Sequence, residues 1–411
     1  MNPLRQIIIN KITKEGPVTF EIFMDMALYC PELGYYSSGK TTIGRKGDFY
    51  TSPHLHPVFG AMLARQLMEM WDVMGRPPVF HAVEMGAGAG YLCKDILDYL
   101  HKKSNGPALL KDKNNFLTSL KYVIVEPYGH FEEKQRELLS DYLKDFPTHC
   151  RGGFKTRPCE RTDKAAGGCP ELIGWAKSLG EFNGGITGCI LSNELLDAFP
   201  VHLVEMEDEL KEIYVDYNGC EFTEIKNKAG SGGLTNYLKE FSVNLHQGYR
   251  TEINLRIKDW LKEVDAALKK GFILTIDYGY STKEYYSEER SKGSLLCYHK
   301  HQVNEDPYRN PGEQDITAHV NFSSLKEWGE ELGFKTTGYC PQGTFLIASG
   351  IDEVIIELYS GAADFTHEMS KLKGLIFPQG MGETHNVMIQ YKGEGLPALK
   401  GFSMRNQAEN L

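Results

Sequence analysis

At 411 residues the chain exceeds the usual single-domain size, so two domains or one decorated α/β domain is expected. Hydrophobic residues at 41% and charged residues at 24% are ordinary for a soluble globular protein with a large core. A net charge of −10 argues against a basic face for nucleic acid or an anionic membrane, and no run of about 20 apolar residues occurs, so neither partner is expected.

Nine scattered cysteines without a C-x-x-C pair suggest neither a disulfide framework nor a zinc ribbon, which fits a reducing compartment. Cys150, Cys159 and Cys169 share one polar loop, but their spacing matches no standard metal site, and no metal is expected. Residues 1 to 25 show neither an apolar signal core nor an Arg-rich, acid-poor transit helix. A cytoplasmic location is expected.

The first 75 residues carry helical patterns, including Val18 to Ala27 and Phe59 to Val73, around a loop rich in glycine and aromatics. That loop contains Gly34-Tyr35-Tyr36 and then Gly47-Asp48-Phe49-Tyr50-Thr51-Ser52-Pro53. The residues alone fit a lid over a small-molecule site or an ordinary surface loop.

Val79, Phe80, Ala82 and Val83 then predict a strand buried on both faces, and Leu92, Ile96, Leu97 and Leu100 recur at helical spacing. Between them lies Glu84-Met85-Gly86-Ala87-Gly88-Ala89-Gly90, a turn whose backbone can approach a ligand where a side chain would not fit. A P-loop needs Lys and then Ser or Thr after the last glycine, where this chain has Tyr91-Leu92. A dinucleotide fingerprint needs glycine or alanine where Tyr91 stands. What remains is acid-x-Gly-x-Gly-x-Gly, with Glu84 facing a ligand that is cationic or rich in hydroxyls and amines. S-adenosylmethionine, with a sulfonium, an ammonium and a ribose, suits that chemistry.

Tyr122 to Val125 predicts the second strand, and Glu126 at its tip is placed to bond ribose hydroxyls. The spacing from Gly86 exceeds the roughly 20 residues of a compact dinucleotide unit, and the polar piece from His101 to Asn115 reads as an insertion loop. Phe131 to Leu143 predicts a helix, and residues 150 to 185 read as a connector. Ile186 to Ser192 predicts a third core strand running into Asn193, Glu194 and Asp197, at the carboxyl end where open α/β sheets bind ligands. The plainer alternative has Asp197 capping a helix and Glu194 solvated.

Val201 to Glu205 and Leu210 to Val215 predict a hairpin, followed by a loop over Asn227 to Gly233. Ile257 to Leu268 predicts a helix, and Gly271 to Gly279 a buried strand with Asp277 near its end. Tyr285 to Asp315 is polar and irregular; His299 and His301, with His319 beyond, read as hydrogen-bonding histidines. Phe322 to Leu332 predicts a helix stopped by Gly333. Lys335 to Tyr339 and Thr344 to Ser349 predict late strands, residues 350 to 374 a helical stretch, and Val387 to Tyr391 a closing edge strand. The expected division is a helical and lid region (1–75), a Rossmann-like core (76–200 and 256–395), an insertion (201–255) and a loose tail (396–411).

These residues resemble the MidA-like family of S-adenosylmethionine-dependent methyltransferases, whose mitochondrial members help assemble respiratory complex I by methylating a protein arginine. The resemblance runs nearly end to end. It is carried by Gly34-Tyr35-Tyr36, Gly47 to Pro53, Phe59-Gly60, the Glu84 to Gly90 turn, Val125-Glu126, Asn193-Glu194 with Asp197-Ala198-Phe199-Pro200, Ile276 to Gly279, Pro311-Gly312 and Asp315-Ile316-Thr317-Ala318-His319-Val320. Two departures stand out: His54 where the family usually has glutamate, and Gly293-Ser294-Leu295 where it usually has Gly-Thr-Leu.

The resemblance implies an α/β fold of the class I methyltransferase type, with a seven-stranded sheet whose last strand is antiparallel, a helical N-terminal addition and inserts. It implies S-adenosylmethionine as cofactor, held by Glu84, Gly86, Gly88, Gly90, Glu126, Asp48, Thr51 and Ser52. It implies transfer to a protein arginine, with Glu194, Asp197 and Asn193 catalytic and Asp315 and His319 on the substrate side. Paired carboxylates suit such a substrate, because they hold a guanidinium by bidentate hydrogen bonds. A small-molecule methyltransferase, a nicotinamide-dependent oxidoreductase and a non-catalytic assembly factor on the same fold remain as alternatives. The oligomeric state is not indicated.

Overall fold

The computed structural model describes residues 2–39, 52–103, 115–144, 172–230, 232–300, 302–360 and 365–411. Residues 40–51 of the lid loop with Asp48 and Thr51, most of the His101 to Asn115 insertion, His301, and Cys150, Cys159 and Cys169 lie outside the described residues. Seven strands build the main sheet, numbered in chain order: β1 (Phe80–Met85), β2 (Leu120–Val125), β3 (Ile173–Ala176), β4 (Ile186–Asn193), β5 (Leu268–Tyr280), β6 (Lys335–Pro341) and β7 (His385–Lys392), besides Val320–Asn321, which pairs with the end of β5.

Their spatial order is β6-β7-β5-β4-β1-β2-β3, with β7 antiparallel to both neighbours and the other pairs parallel. This is the doubly wound sheet expected, and the order reverses between β1 and β4, where such sheets hold their ligands. Alternation along each strand explains why helices cover both faces. In β2, Leu120, Tyr122 and Ile124 enter the core under the helices Val58–Val73 and Tyr91–Lys103. Val123 and Val125 enter the opposite core, shared with the helices Arg256–Ala267 and Phe322–Glu331.

Four expectations need correction. Ile173–Ala176 is a strand inside the segment read as connector; four residues are too few for a period to show. Val387 to Tyr391 is not an edge strand but lies between β5 and β6. Hydrophobic pattern reports the faces of a strand and is silent about its edges. Thr344 to Ser349 belongs to a helix, Gln342–Ala348, whose Phe345 and Leu346 are buried. The terminal residues are not loose: Leu399 and Phe402 are buried, and the Phe402 ring packs on Phe345.

A second sheet lies outside the core. It orders Val18–Thr19, Leu210–Tyr217, His202–Met206 and Arg250–Ile253, with Phe222–Lys228 pairing Leu210–Tyr217. Val18 pairs with Val215, so the start of the chain is laddered onto the 201–255 segment. A separate core joins that sheet to the helices Pro3–Glu15 and Phe20–Tyr29 through Leu4, Ile8, Phe20, Phe23, Leu203 and Ile213.

Candidate active site at the carboxyl ends of β1, β2 and β4

The turn after β1 requires its glycines, because Gly86, Gly88 and Gly90 have φ of 74°, 52° and 89°, the left-handed region. A Cβ on Gly86 would also lie 3.0 Å from Leu195 Cδ1. The turn forms one wall of a cavity of about 330 Å³, a size suited to a small ligand. Glu84, Gly86, Gly88, Glu126, Asn193 and Glu194 all line it, and it reaches the surface beside the exposed residues Tyr91 and Glu263. Gly90 stands behind, packed against Gln135.

The two strand-end carboxylates on the β1–β2 side are buried and bonded. Glu84 Oε2 accepts from the Tyr122 hydroxyl at 2.6 Å. Glu126 Oε1 accepts from the Tyr128 amide at 2.9 Å, and Oε2 from Gln135 Nε2 at 3.0 Å. Burial pushes each carboxyl up to about 7 against the opposing effect of those bonds. Gln135 also donates to the Gly88 carbonyl at 2.8 Å and accepts from Trp175 Nε1 at 2.9 Å, so it ties the turn, Glu126 and β3 together. Sequence reasoning missed it. The available signal was an uncharged polar residue four positions after Phe131, on the buried face of its helix.

The other end of the cavity is built after β4. Glu194 has φ of 52°, an uncommon conformation for a residue with a Cβ, and its amide donates to the Ile276 carbonyl of β5 at 2.9 Å. Its Oε1 accepts from Asn193 Nδ2 at 3.2 Å and the Ser52 amide at 3.3 Å, and lies 3.6 Å from His385 Nε2. Asn193 Oδ1 is buried without a partner among the described residues. Asp277 supports the loop from below: its Oδ2 accepts from the amides of Leu195, Leu196 and Asp197 at 3.2, 3.0 and 3.4 Å.

The expected residues therefore separate into layers. Asp197 is buried behind Glu194 and accepts from the Tyr278 hydroxyl; burial, then repulsion from Glu194, raises its carboxyl, and the Tyr278 bond opposes this. Asp315 is not in the cavity lining; its Oδ1 accepts from the Tyr36 hydroxyl at 2.9 Å. Tyr36 itself lines the cavity, stacked on Tyr29 at 5.6 Å. Ser52 approaches Glu194 through its backbone, while its hydroxyl donates to Gln342 Oε1. His319 lines a different cavity, of about 540 Å³, with Glu252, Ser294 and Tyr308. His319, expected on the substrate side, is thus not in the lining of the first cavity; its ring packs edge-on against Tyr278 at 5.4 Å. Burial, then the Arg290 charge, lowers His319 to about 4. The lining of the larger cavity does not include the Gly86–Gly90 turn or the main-sheet carboxylates Glu84, Glu126 and Glu194, so chemistry selects the smaller one.

The lining fits S-adenosylmethionine. Glu84, Glu126 and Glu194 face the cavity against one basic residue, Lys177, a balance that disfavours pyrophosphate and favours a cation. Glu126 would bond the ribose hydroxyls with its remaining lone pairs, and the backbone of the turn leaves room for the cofactor's body. Among the described residues no group of histidine, cysteine or carboxylate side chains is placed to hold a metal ion.

Residues 62–340 match the family model of S-adenosyl-L-methionine-dependent methyltransferases. A superfamily member from Burkholderia thailandensis, crystallised with S-adenosyl-homocysteine, superposes with a TM-score of 0.83 and 29% identity, over 99% of this chain and 96% of that one. A Drosophila melanogaster relative named protein arginine methyltransferase NDUFAF7 homolog, mitochondrial, is 26% identical over 396 residues, 93% of this chain and 83% of that protein. The human protein arginine methyltransferase NDUFAF7, mitochondrial, is 26% identical over 392 residues, 94% and 82% respectively. These mitochondrial relatives overturn the expected cytoplasmic placement, which had been read from N-terminal residues that serve the fold: Leu4, Ile8 and Ile12 of Pro3–Glu15 are core residues. Sequence match, sheet order and cavity agree, and the chain belongs to the S-adenosyl-L-methionine-dependent methyltransferases.

Proposed function

We propose that this chain transfers a methyl group to a guanidinium nitrogen of an arginine in a protein substrate. One observation carries the reading: the anionic end of the cavity lacks its counter-charge. Glu194, Asp197 and Asp277 form no ion pair with lysine or arginine among the described residues; the only basic group near Glu194 is His385. Burial and mutual repulsion push Asp197 and Asp277 above the usual carboxylate range. A guanidinium entering beside Glu194 supplies that charge. The names of the curated relatives support the same substrate and a mitochondrial setting.

When bound, S-adenosylmethionine supplies an electrophilic methyl group on a sulfonium. The chain's own work is positioning, since in-line displacement depends on close alignment of donor and nucleophile. Glu126 and the glycine turn fix one partner. Glu194 Oε2, without a partner among the described residues, accepts from the substrate N–H groups; Asn193 Oδ1 adds a second acceptor. Holding the guanidinium by two acceptors localises its charge and turns one nitrogen toward the methyl group. Asp197, Asp277 and Asp315 act from behind by holding the loop and the Tyr36 wall.

The test is incubation with labelled S-adenosylmethionine and a mitochondrial lysate, followed by amino-acid analysis of labelled protein. Methylarginine is expected. Label confined to small metabolites overturns the protein substrate, and no transfer at all overturns the enzymatic reading.

A further inference from the structure

His385 opens β7 opposite Tyr278 of β5, and its side chain is buried at the anionic end of the cavity. We assign the ring proton from the contacts around it. The Thr384 hydroxyl lies 3.3 Å from the Gly380 carbonyl, and donation there leaves its oxygen to accept from His385. The 3.1 Å contact between Thr384 Oγ1 and His385 Nδ1 is therefore a bond from Nδ1–H, assigned from this network. That leaves a lone pair on Nε2, which is buried without a hydrogen-bond partner and sits 3.6 Å from Glu194 Oε1. Two acceptors face each other with no proton between them. The arrangement is a slot for one proton.

Methylation of a guanidinium must release a proton. The nitrogen–carbon bond forms as the carbon–sulfur bond breaks, with the electron pair of the latter staying on sulfur. Before transfer, substrate and cofactor carry one positive charge each; afterwards the methylated guanidinium keeps one, the thioether none, and one proton leaves the nitrogen.

We propose that His385 receives this proton through Glu194, an assignment that rests on the arginine reading above. The proton passes from the substrate nitrogen to Glu194, and from its Oε1 to the Nε2 lone pair; it leaves from the imidazolium to solvent as product departs. His385 acts through Glu194 and is a positioning residue. The groups facing it are Glu194 and Asp197 from the loop after β4, Tyr278 from β5 with ring centres 5.4 Å apart, Thr384 beside it, and His319. Glu194 and Asp197 favour the imidazolium once formed. Only the neutral ring accepts, so a ring already protonated stops the step.

Two measurements on the full chain decide the matter. The first is imidazole nitrogen NMR with S-adenosyl-homocysteine bound, assigned by H385Q. The Nδ1–H tautomer is expected for the neutral ring. An Nε2–H tautomer overturns the proposal. The second is the pH profile of arginine methylation. H385Q is expected to lower kcat by at least about tenfold and to remove the acid limb, with cofactor affinity within about twofold. An unchanged profile overturns the proposal. If the wild-type chain labels no arginine, the substrate reading falls, and the tautomer alone decides the role of His385.

Discussion

The two ends of the cavity handle their carboxylates in opposite ways. Glu84 and Glu126, beside the glycine turn, are each held by local donors, from Tyr122, Tyr128 and Gln135, and their geometry is complete before any ligand arrives. At the other end, among the described residues, Glu194 Oε2 and Asp197 Oδ1 have no hydrogen-bond partner, and neighbouring acids raise one another's protonation. The first end is a finished receptor; the second is frustrated until a cation enters. The difference matches a division between holding a cofactor and handling a reacting group.

The sharpest way to break this comparison is Glu194→Gln, which keeps shape and removes charge. Turnover should fall by about 10²–10³, the scale for losing one preorganised electrostatic group, while S-adenosyl-homocysteine binding by calorimetry stays within about twofold. Equal losses in both would mean that the two ends are not separate. Next in size is Asp277→Leu, which strands three backbone N–H groups under the loop. A loss on the order of 3 kcal/mol in urea unfolding is expected, whereas an unchanged midpoint would deny Asp277 its supporting role.

On the cofactor side the expected lever is pH. Ribose hydroxyls donate to the ionised form of Glu126, whose value burial pushes to about 7. Cofactor affinity should therefore rise about tenfold from one pH unit below that value to one above, and Glu126→Gln should flatten the profile. Without cofactor the sign reverses: the folded chain holds this proton to higher pH than the unfolded chain. The group's contribution to stability is present at low pH and is lost as pH climbs toward about 7. The smallest effect belongs to Tyr29→Phe, which removes a 2.8 Å bond to the Ala198 carbonyl. It should cost about 1 kcal/mol of stability by thermal unfolding, and a larger change in turnover than in stability would move Tyr29 into the substrate contact.

What the sequence discloses follows the same division. Glu84, the three glycines and Glu126 announce themselves because each lies at the end of a run of Val, Ile and Phe whose period is visible within a few residues. The anionic end draws on Asn193 and Glu194 after β4, Asp277 on β5 and His385 on β7, far apart in the chain and joined only by sheet order. Nothing local marks His385: its role arises from β7 lying beside β5, the feature that pattern alone placed at an edge. Gln135 hid for a related reason, since its three partners come from the turn after β1, the residue after β2, and β3. Ile173–Ala176 was concealed by brevity, not by composition.

The ladder between Val18 and Val215 has a bearing on how this protein can be trimmed. Residues 201–255 look dispensable as a decoration on the sheet, yet deleting them would leave Val18 and Thr19 with no strand to join and Phe23 without Phe222 beside it. The helix that follows Thr19 ends at Tyr29, and the segment after it carries Tyr36. Pruning the decoration would thus unmoor two aromatic rings from a reaction chamber to which it contributes no residue of its own.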